Sequence, residues 1–424
     1  MRFRTQQLPE PAKQQFWTGV LACFAGLVAI LAASAGCKNI TARSNPDFET
    51  FTDWCANKAQ LTPDAQHTVD VLLEKAGTQD CDRAGKMLNQ RTELELISEQ
   101  IVDVAPLAVL THLRELLLSN NKIADVTPLA NLTNLTSLSL SDNQIADVAP
   151  LATLTHLSGL GLGGNQITDV APLATLTHLS RLFLGDNNIT DVAPLANLTQ
   201  LTWLNLSENQ ITDVTPLATL TNLTWLDLSK NQIANVAPLT PLNKLIWLSL
   251  WRNQIVDVAP LATMTKLRGL LLSHNQIVDV SELATLVDLT ELVIEDNQLA
   301  DITGLTTLTH LTRLDLDVNQ ISDIAPLATL THLENLSLWG NRITDVTPLA
   351  TMTHLEILEL GHNRITDVAP LAALTHLKVL QLDGNQIVDV SMLATLTRLN
   401  KLDAFNNLIR DRTCPVQPKR ICRF

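Results

Sequence analysis

The chain has 424 residues and a formal net charge of −14; 46% of its residues are apolar, but only 4% are aromatic and none is tyrosine. Its core must therefore be built almost wholly from Leu, Ile, Val and Ala, a composition unusual for an enzyme. The acidic charge excludes DNA and RNA as partners, because a phosphate backbone requires a basic surface. Gly and Pro are close to average usage, so the chain is neither collagen-like nor disordered.

The N-terminal segment has the pattern of an export signal. Arg2, Arg4 and Lys13 precede an uncharged apolar run from Trp17 to Gly36, as in a secretory signal peptide. The run is also long enough to span a bilayer. Residues 1–36 are therefore predicted to be a signal peptide or an N-terminal anchor, and the protein is predicted to be exported to the cell envelope or secreted.

Ser34-Ala35-Gly36-Cys37 resembles a bacterial lipoprotein box, in which the cysteine is acylated and becomes the new N-terminus. Ser34 stands where Leu is usual, and cleavage after Ala35 would instead release a soluble protein. The count of cysteines favours acylation of Cys37. Of the six, Cys23 lies inside the signal, and acylation of Cys37 leaves an even number for disulfides, which suit an oxidising compartment.

The remaining four cysteines lie near the two ends of the exported chain, as the pairs Cys55 with Cys81 and Cys414 with Cys422. Asn45-Pro46 and Thr62-Pro63 each begin a segment with helical apolar spacing. Residues 37–92 are thus predicted to form a helical N-terminal cap held by one disulfide. Residues 411–424 are predicted to form a C-terminal cap loop held by the other.

The body of the chain is a repeat of 22 residues. An Asn recurs at this spacing from Asn121 to Asn407, and a Leu-x-Leu core such as Leu116-x-Leu118 precedes it. This is the leucine-rich-repeat pattern, in which stacked parallel strands bury a Leu spine that no single repeat could bury. Residues 93–410 are predicted to form about 15 repeats of an α/β solenoid, a right-handed superhelix with a concave parallel β-sheet.

The segment from Asn165 to Leu184, NQITDVAPLATLTHLSRLFL, resembles the 22-residue repeats of the internalin family of bacterial leucine-rich-repeat proteins. The resemblance extends over about residues 94–410. It implies a surface-exposed receptor or adhesin that binds a protein, and it brings no catalytic motif and no cofactor. The ligand of a family member does not transfer, because binding depends on the side chains of the concave sheet.

The aromatic residues indicate where a partner would bind. Residues six, four and two before each repeat Asn alternate with the buried leucines and are predicted to project from the concave face. All seven aromatic residues of the repeats occupy these columns: Phe183, Trp203, Trp225, Trp247, Trp251, Trp339 and Phe405. The rings of Trp203, Trp225 and Trp247 lie one repeat apart and are expected to stack. The predicted partner-binding residues are Phe183, Trp203, Trp225, Trp247, Trp251, Arg252, Asp227 and Trp339.

Exposed aromatic clusters are typical of protein-binding hot spots. We therefore expect a monomeric, non-enzymatic binding module that recognises a protein, with a glycan as second choice because Asp227, Asn205 and Ser249 flank the Trp platform. Its membrane contact would be the lipid or anchor alone, since an acidic surface is repelled by anionic lipid. The alternative is an envelope-organising scaffold without a discrete ligand, in which the stacked Trp rings only stiffen the sheet.

Three other groups of residues carry side chains that could bind a metal or take part in catalysis. The later concave columns are acidic, and Glu295, Asp315 and Asp317 could bind Ca²⁺ through oxygen ligands, although attraction of a basic partner is the preferred interpretation and no metal site is predicted. The recurring His residues of the return segments are explained by duplication of one repeat. Ser273 and His274 are adjacent on one strand and point to opposite faces, which argues against a hydrolytic set.

Overall fold

The computed structural model describes residues 48–424. The predicted signal or anchor, Cys37 and the predicted helix start at Asn45-Pro46 lie outside the described residues. Within residues 48–424, no helix is both long and apolar enough to cross a membrane.

The described chain begins with three helices: α1 (Phe51–Ala56), α2 (Pro63–Ala76) and α3 (Cys81–Leu88). The first helix starts later than the sequence predicts, because Thr50 is its N-cap and exchanges hydrogen bonds with Asp53 in a capping box. The second helix has the predicted limits, from the Thr62 cap to Gly77 in the left-handed conformation. The third helix was not expected; the side chain of Asp80 caps it.

Contacts of these helices tie them to each other and to the first turn of the repeats. The Cys55–Cys81 disulfide joins α1 to α3, with 5.5 Å between the two Cα atoms. The Thr68 hydroxyl on α2 donates a hydrogen bond of 2.6 Å to the Asp103 carbonyl. Leu72 is completely buried with the leucines of the first repeats. The helices therefore cover apolar surface that the first repeat would otherwise expose to water.

Within residues 48–424, sixteen strands form one parallel sheet in chain order. They are β1 (Glu93–Glu95), β2 (Glu115–Leu117), β3 (Ser137–Ser139), β4 (Gly159–Gly161), β5 (Arg181–Phe183), β6 (Trp203–Asn205), β7 (Trp225–Asp227), β8 (Trp247–Ser249), β9 (Gly269–Leu271), β10 (Glu291–Val293), β11 (Arg313–Asp315), β12 (Asn335–Ser337), β13 (Ile357–Glu359), β14 (Val379–Gln381), β15 (Lys401–Asp403) and β16 (Cys422–Arg423). Each return segment contains a short 3₁₀ helix, the first being Ala105–Leu107 and the last Ser391–Thr395. The predicted leucine-rich-repeat solenoid with a parallel sheet is thus confirmed.

The register of the sheet repeats the 22-residue spacing of the sequence, so equivalent residues are neighbours. Leu94 lies opposite Leu116, and Leu116 lies opposite Leu138. These leucines and those two positions later, such as Leu118, are at most 2% exposed. The strands therefore bury one continuous Leu spine, as the Leu-x-Leu pattern predicts.

The repeat Asn side chains link each turn to the preceding one. Asn231 is a representative case: its Oδ1 accepts a hydrogen bond from the Ile211 N–H, and its Nδ2 donates to the Leu206 and Leu228 carbonyls. The same three bonds recur at the other repeats, for example at Asn143. The Asn column therefore supplies partners to buried backbone groups that the sheet leaves without them.

The C-terminal segment differs from the predicted loop. Cys422 and Arg423 form a last strand that pairs with β15, so that Leu402 lies opposite Cys422. The Cys414–Cys422 disulfide closes the segment, with 5.7 Å between the Cα atoms, and Val416 between the two cysteines is buried. A paired strand forms here because β15 would otherwise present unsatisfied backbone groups at the edge of the sheet.

Candidate functional site: the open face of the sheet

We call the open face of the sheet the surface formed by the residues six, four and two before each repeat Asn. The strand residue between the first two columns is buried in every repeat, as Leu204 is between Trp203 and Asn205. Residues in each column lie beside those one repeat away, because the register is 22 residues. A partner that approaches the open face therefore meets three columns of side chains along the sheet.

The most exposed aromatic residues lie on β5 and β6. Phe183 is 36% exposed and Trp203 is 38% exposed. Their ring centroids are 6.3 Å apart at an angle of 44°, and the Trp203 indole stacks on that of Trp225 at 4.4 Å and 18°. We define the aromatic patch as Phe183, Trp203 and Trp225. It is a continuous apolar surface with rings in favourable offset geometry.

The third tryptophan of the column does not extend the stack. The indole of Trp247 lies across Gly269 on β9, where a Cβ would overlap its Cε3 and Cζ3 atoms. The expectation that three rings stack is therefore wrong for Trp247, and the reason is physical. Gly269 has no side chain, so the ring packs into the vacant space and covers the backbone of the next strand.

Trp251 is surrounded by cationic or ionisable groups. Lys230 Nζ lies 5.1 Å and Arg252 Cζ lies 5.0 Å from the indole centroid, and the ring of His274 packs edge-on at 5.8 Å. Arg252 has a positive φ of 53°, and every residue directly before a repeat Asn from Asn121 to Asn407 also has a positive φ. The sequence analysis did not predict that Lys230 contacts Trp251. Its position, 22 residues before Arg252, would have indicated that the two cations are neighbours beside this ring. Cation–π contacts engage the face of Trp251 and leave it half-buried.

The predicted site residues do not all come together. Asp227 lies beside Trp225, but its Oδ1 accepts a 2.9 Å hydrogen bond from the Ser229 N–H and so serves the backbone of its own repeat. Trp339 follows β12, four strands beyond β8, which is roughly 19 Å at ordinary strand spacing. Trp339 therefore does not belong to the aromatic patch, and its role in partner binding stays a prediction.

The later part of the open face is acidic and crowded. Asp317 is 3% exposed; its Oδ1 accepts a 2.7 Å hydrogen bond from the Trp339 N–H and another from the Ser337 hydroxyl. Burial raises the pKa of Asp317 to about 7, and the nearby charges of Asp315 and Glu359 add to this effect. Burial likewise raises the pKa of Asp315 to about 6. Part of this acidic surface therefore retains protons near neutral pH.

The other sequence candidates have structural contacts. Within residues 48–424, no group of three or more His, Cys, Asp or Glu side chains has the arrangement of a metal site, so the Ca²⁺ alternative gains no support. His274 Nδ1 lies 2.7 Å from Asp296 Oδ2, whereas the Ser273 hydroxyl accepts a bond from the Glu295 N–H. Ser273 and His274 therefore do not form a nucleophile–base pair.

The histidines of the return segments hold neighbouring repeats together. His156 Nδ1 lies 2.9 Å from the Thr133 carbonyl, and His178 makes the equivalent contact with Thr155. Asn222 bonds a carbonyl in the same way where it replaces His. This shared contact supports a structural role for the column.

Comparisons with known proteins agree with this architecture. A family profile described as leucine-rich repeats (2 copies) matches residues 111–153, 155–197 and, in overlapping segments, 265–395, and a second leucine-rich-repeat profile matches residues 177–233. No curated protein matches the sequence.

Solved structures of similar proteins include an internalin, InlF, from Listeria monocytogenes, at 35% identity and a TM-score of 0.72, covering 78% of this chain and 98% of that one. A leucine-rich-repeat protein from Leptospira interrogans is 23% identical, with a TM-score of 0.71 and coverage of 89% and 96%. The plant peptide hormone receptor RGFR1, solved in complex with RGF2, is 21% identical, with a TM-score of 0.64 and coverage of 75% and 60%. The last two are similar in fold alone. The chain thus belongs to the leucine-rich-repeat family and is a bacterial member that resembles the internalins.

Proposed function

We propose that the protein is an extracytoplasmic recognition module that binds a protein partner through the aromatic patch on the open face. The observation that carries the proposal is that Phe183 and Trp203, the two exposed aromatic side chains of residues 48–424, lie side by side on the open face, with the Trp225 ring stacked on Trp203. Stacked aromatic rings offer a large contact area and lose little conformational entropy on binding.

A protein is preferred to a glycan because of the polar groups beside the patch. Asn205 Oδ1 accepts hydrogen bonds from the Ser207 N–H and hydroxyl, and Asp227 Oδ1 accepts one from the Ser229 N–H. These acceptors are committed to the turn, which weakens them as ligands for sugar hydroxyls. An open sheet also offers area, which suits a protein surface.

The alternative function, a scaffold in which the tryptophans only stiffen the sheet, best describes the two tryptophans on and just after β8. Trp247 packs on Gly269, and Trp251 packs against Lys230, Arg252 and His274. We assign these two tryptophans a mainly structural role that holds the neighbouring surface rigid. Leucine-rich-repeat proteins are typically binding scaffolds, and we propose no catalytic activity.

For the location of the protein, we propose export and attachment by acylated Cys37. The basic and then apolar N-terminal sequence, together with the Cys55–Cys81 and Cys414–Cys422 disulfides, supports an oxidising compartment. Membrane contact would be limited to the lipid or an uncleaved anchor, and the protein would act as a monomer. Radiolabelled palmitate incorporation, compared between the parent and Cys37→Ala, tests the acylation.

The function is tested by capture of extracellular proteins on the immobilised chain. The parent is compared with Phe183→Ala/Trp203→Ala and with a matched control, Val388→Ala/Leu408→Ala, which removes exposed apolar side chains away from the open face. We expect a protein retained by the parent and the control and lost from the aromatic variant. Retention of the captured protein by all three chains contradicts recognition through the aromatic patch. Loss of capture when free glycans are added would instead indicate a carbohydrate ligand.

A further inference from the structure

Arg181 is the one ionisable side chain at the open-face positions of β3 to β6, where the other positions hold Ser, Gly, Asn, Phe or Trp. It lies on β5, two residues before Phe183 of the aromatic patch, and both side chains are exposed. The nearest open-face carboxylates along the sheet belong to Glu115, three strands before, and Asp227, two strands after. An isolated cation therefore adjoins the exposed apolar surface of the sheet.

The open face of β4 has no side chains. Gly159, Gly161 and Gly163 occupy its three columns, and the first two lie opposite Arg181 and Phe183 in the register. Arg181 leans over this strand: its Nη2 lies 3.9 Å from where a Cβ of Gly159 would stand, and this glycine is buried. The guanidinium therefore rests on the backbone of β4, while the other two glycines stay half-buried beside it.

A second hydrogen-bond donor lies on the other side of Gly159. Ser137 on β3 is opposite Gly159 in the register, and its Oγ lies 4.0 Å from the same Cβ position. The Ser137 hydroxyl has no hydrogen-bond partner among the described residues. The guanidinium and the hydroxyl thus converge on one glycine from the two neighbouring strands, so an acceptor placed above that glycine can meet both donors.

Arg181 differs from the other cations in the open-face columns of β1 to β15 because it has no counterion. Arg313 Nη1 lies 3.2 Å from Glu291 Oε1, and Lys401 Nζ lies 3.7 Å from Asp403 Oδ2. Within residues 48–424, no carboxylate pairs with Arg181 and no acceptor takes a hydrogen bond from its guanidinium. Its donors are therefore free to bind a carboxylate of another molecule.

We propose that Arg181 and Ser137, above the glycines of β4, bind a glutamate or aspartate side chain of the protein partner beside an apolar side chain that contacts Phe183. The proposal rests on the proposed function, in which the open face receives a protein, and it adds the charge that the partner carries next to the aromatic patch. The planar guanidinium donates paired N–H bonds to the carboxylate, and the hydroxyl donates another. The glycines let the partner approach the sheet closely.

The distribution of charge along the sheet supports this occupant. Carboxylates outnumber cations in the open-face columns of β10 to β15, for example at Glu295, Glu359 and Asp383. An acidic side chain of the partner is repelled from those strands and attracted to Arg181. The contact would therefore also fix the direction in which the partner lies along the sheet.

The test uses the full chain and two synthetic peptides, acetyl-Gly-Glu-Gly-Leu-Gly-amide and the same peptide with glutamine in place of glutamate. Affinity is measured by calorimetry at neutral pH and low salt, and NMR of the Arg181 Nε–H group in a chain with isotope-labelled arginine locates the binding. We expect the glutamate peptide to bind at least ten-fold more tightly and to shift the Arg181 signal. Equal binding of the two peptides, no binding, or an unshifted Arg181 signal overturns the proposal.

Charge variants separate the site from the net charge of the protein. Arg181→Gln should reduce the affinity for the glutamate peptide to that for the glutamine peptide. Arg181→Lys should weaken binding at least three-fold, because an ammonium lacks the planar pair of donors. Arg268→Gln removes the same charge from an exposed residue outside the open-face columns and should change binding less than two-fold. Equal losses in Arg181→Gln and Arg268→Gln would overturn the site.

Gly159→Val tests the placement of the guanidinium. The γ carbons of valine would take the space in which the guanidinium rests, so we expect at least five-fold weaker binding of the glutamate peptide and an unchanged urea midpoint. Parental affinity in this variant would contradict binding above Gly159. Circular dichroism of each variant checks that the repeat structure is retained.

The outcome can be told apart from that of the proposed function. In Phe183→Ala/Trp203→Ala the preference for the glutamate peptide over the glutamine peptide should persist, because both peptides carry the same leucine. A captured protein that is lost from this aromatic variant but binds Arg181→Gln with parental affinity would uphold the proposed function and overturn the arginine site.

Discussion

The indole of Trp247 lies directly over Gly269, the equivalent residue one repeat later. The same arrangement recurs where Trp339 lies over Gly361. In both cases a tryptophan on the open face is followed after 22 residues by a glycine, whose missing side chain leaves the space that the ring fills. Ring orientation on this sheet is therefore decided by the residue one repeat later.

Gly269→Val tests this relationship. The new Cβ would overlap the Trp247 ring and force it off the sheet, so we expect a loss of about 1–3 kcal/mol in the free energy of unfolding and a changed near-ultraviolet dichroism. Gly159→Val is the matched control, because a Cβ there has only the ends of Arg181 and Ser137 nearby, at 3.9 and 4.0 Å. Equal loss in both variants on urea unfolding would show that the Trp247 contact is unimportant.

Asn231→Ala removes a buried amide that hydrogen-bonds four backbone groups. Each backbone group left without a partner carries a desolvation penalty, and we expect a total cost of about 2–4 kcal/mol. Asn222→Ala, which removes an exposed bond to the Thr199 carbonyl and an exposed bond from the Lys244 ammonium, should cost less than about 1 kcal/mol. Urea midpoints that fall equally in the two variants would contradict the bridging role of the Asn column.

Val318→Asn should stabilise the protein. Val318 is 37% exposed and has a positive φ of 51°, which is unfavourable for a β-branched residue and tolerated by Asn. The expected gain is about 1 kcal/mol, measured as a higher thermal midpoint. The opposite kind of change at the equivalent position one repeat later, Gly340→Val, places a β-branched residue at a φ of 69° and should lower the thermal midpoint. A lower midpoint for Val318→Asn would refute the assignment of strain.

The stability of the protein should depend on the protonation of Asp317. Its pKa is about 7 in the folded chain against 3.8 ordinarily, so between pH 4 and 7 the folded chain holds a proton that the unfolded chain releases. The free energy of unfolding therefore decreases as the pH rises through this window. Asp317→Asn should flatten the dependence and raise the thermal midpoint at pH 8 by about 1–3 °C.

Asp213→Asn is the control for this pH dependence. The Thr215 hydroxyl and N–H lower the pKa of Asp213, so its contribution is lost only in stronger acid, as the pH falls through the lowered pKa. Between pH 5 and 8 this variant should keep the slope of the parent. An unchanged slope in Asp317→Asn would mean that Asp317 is ionised throughout the range.

Periodic residues made most of the fold predictable from the sequence. The spacing from Asn121 to Asn407 and the alternation of leucines define the strands, their register and the buried face, since these depend on repetition alone. Departures occur where repetition stops. α1 begins at a local capping box around Thr50, and the C-terminal Cys422 joins the sheet although no repeat precedes it.

The sequence predicted which residues form the three columns of the open face, but it did not predict how their side chains pack against one another. The alternation placed Trp203, Trp225 and Trp247 in one column, yet only the first two rings stack. Ring direction depends on free space beside each residue, and the sequence signal for that space is Gly269. The raised pKa of Asp317 depends on burial by neighbouring repeats and has no counterpart in the pattern of a single repeat.

The most direct measurement of the central claim compares affinity and stability in two single variants, Trp203→Ala and Trp247→Ala, against a captured partner. The account predicts that Trp203→Ala lowers the affinity by at least about 30-fold, about 2 kcal/mol, and leaves the urea midpoint unchanged. It predicts that Trp247→Ala mainly lowers the midpoint. Parental affinity in Trp203→Ala would contradict recognition through the aromatic patch.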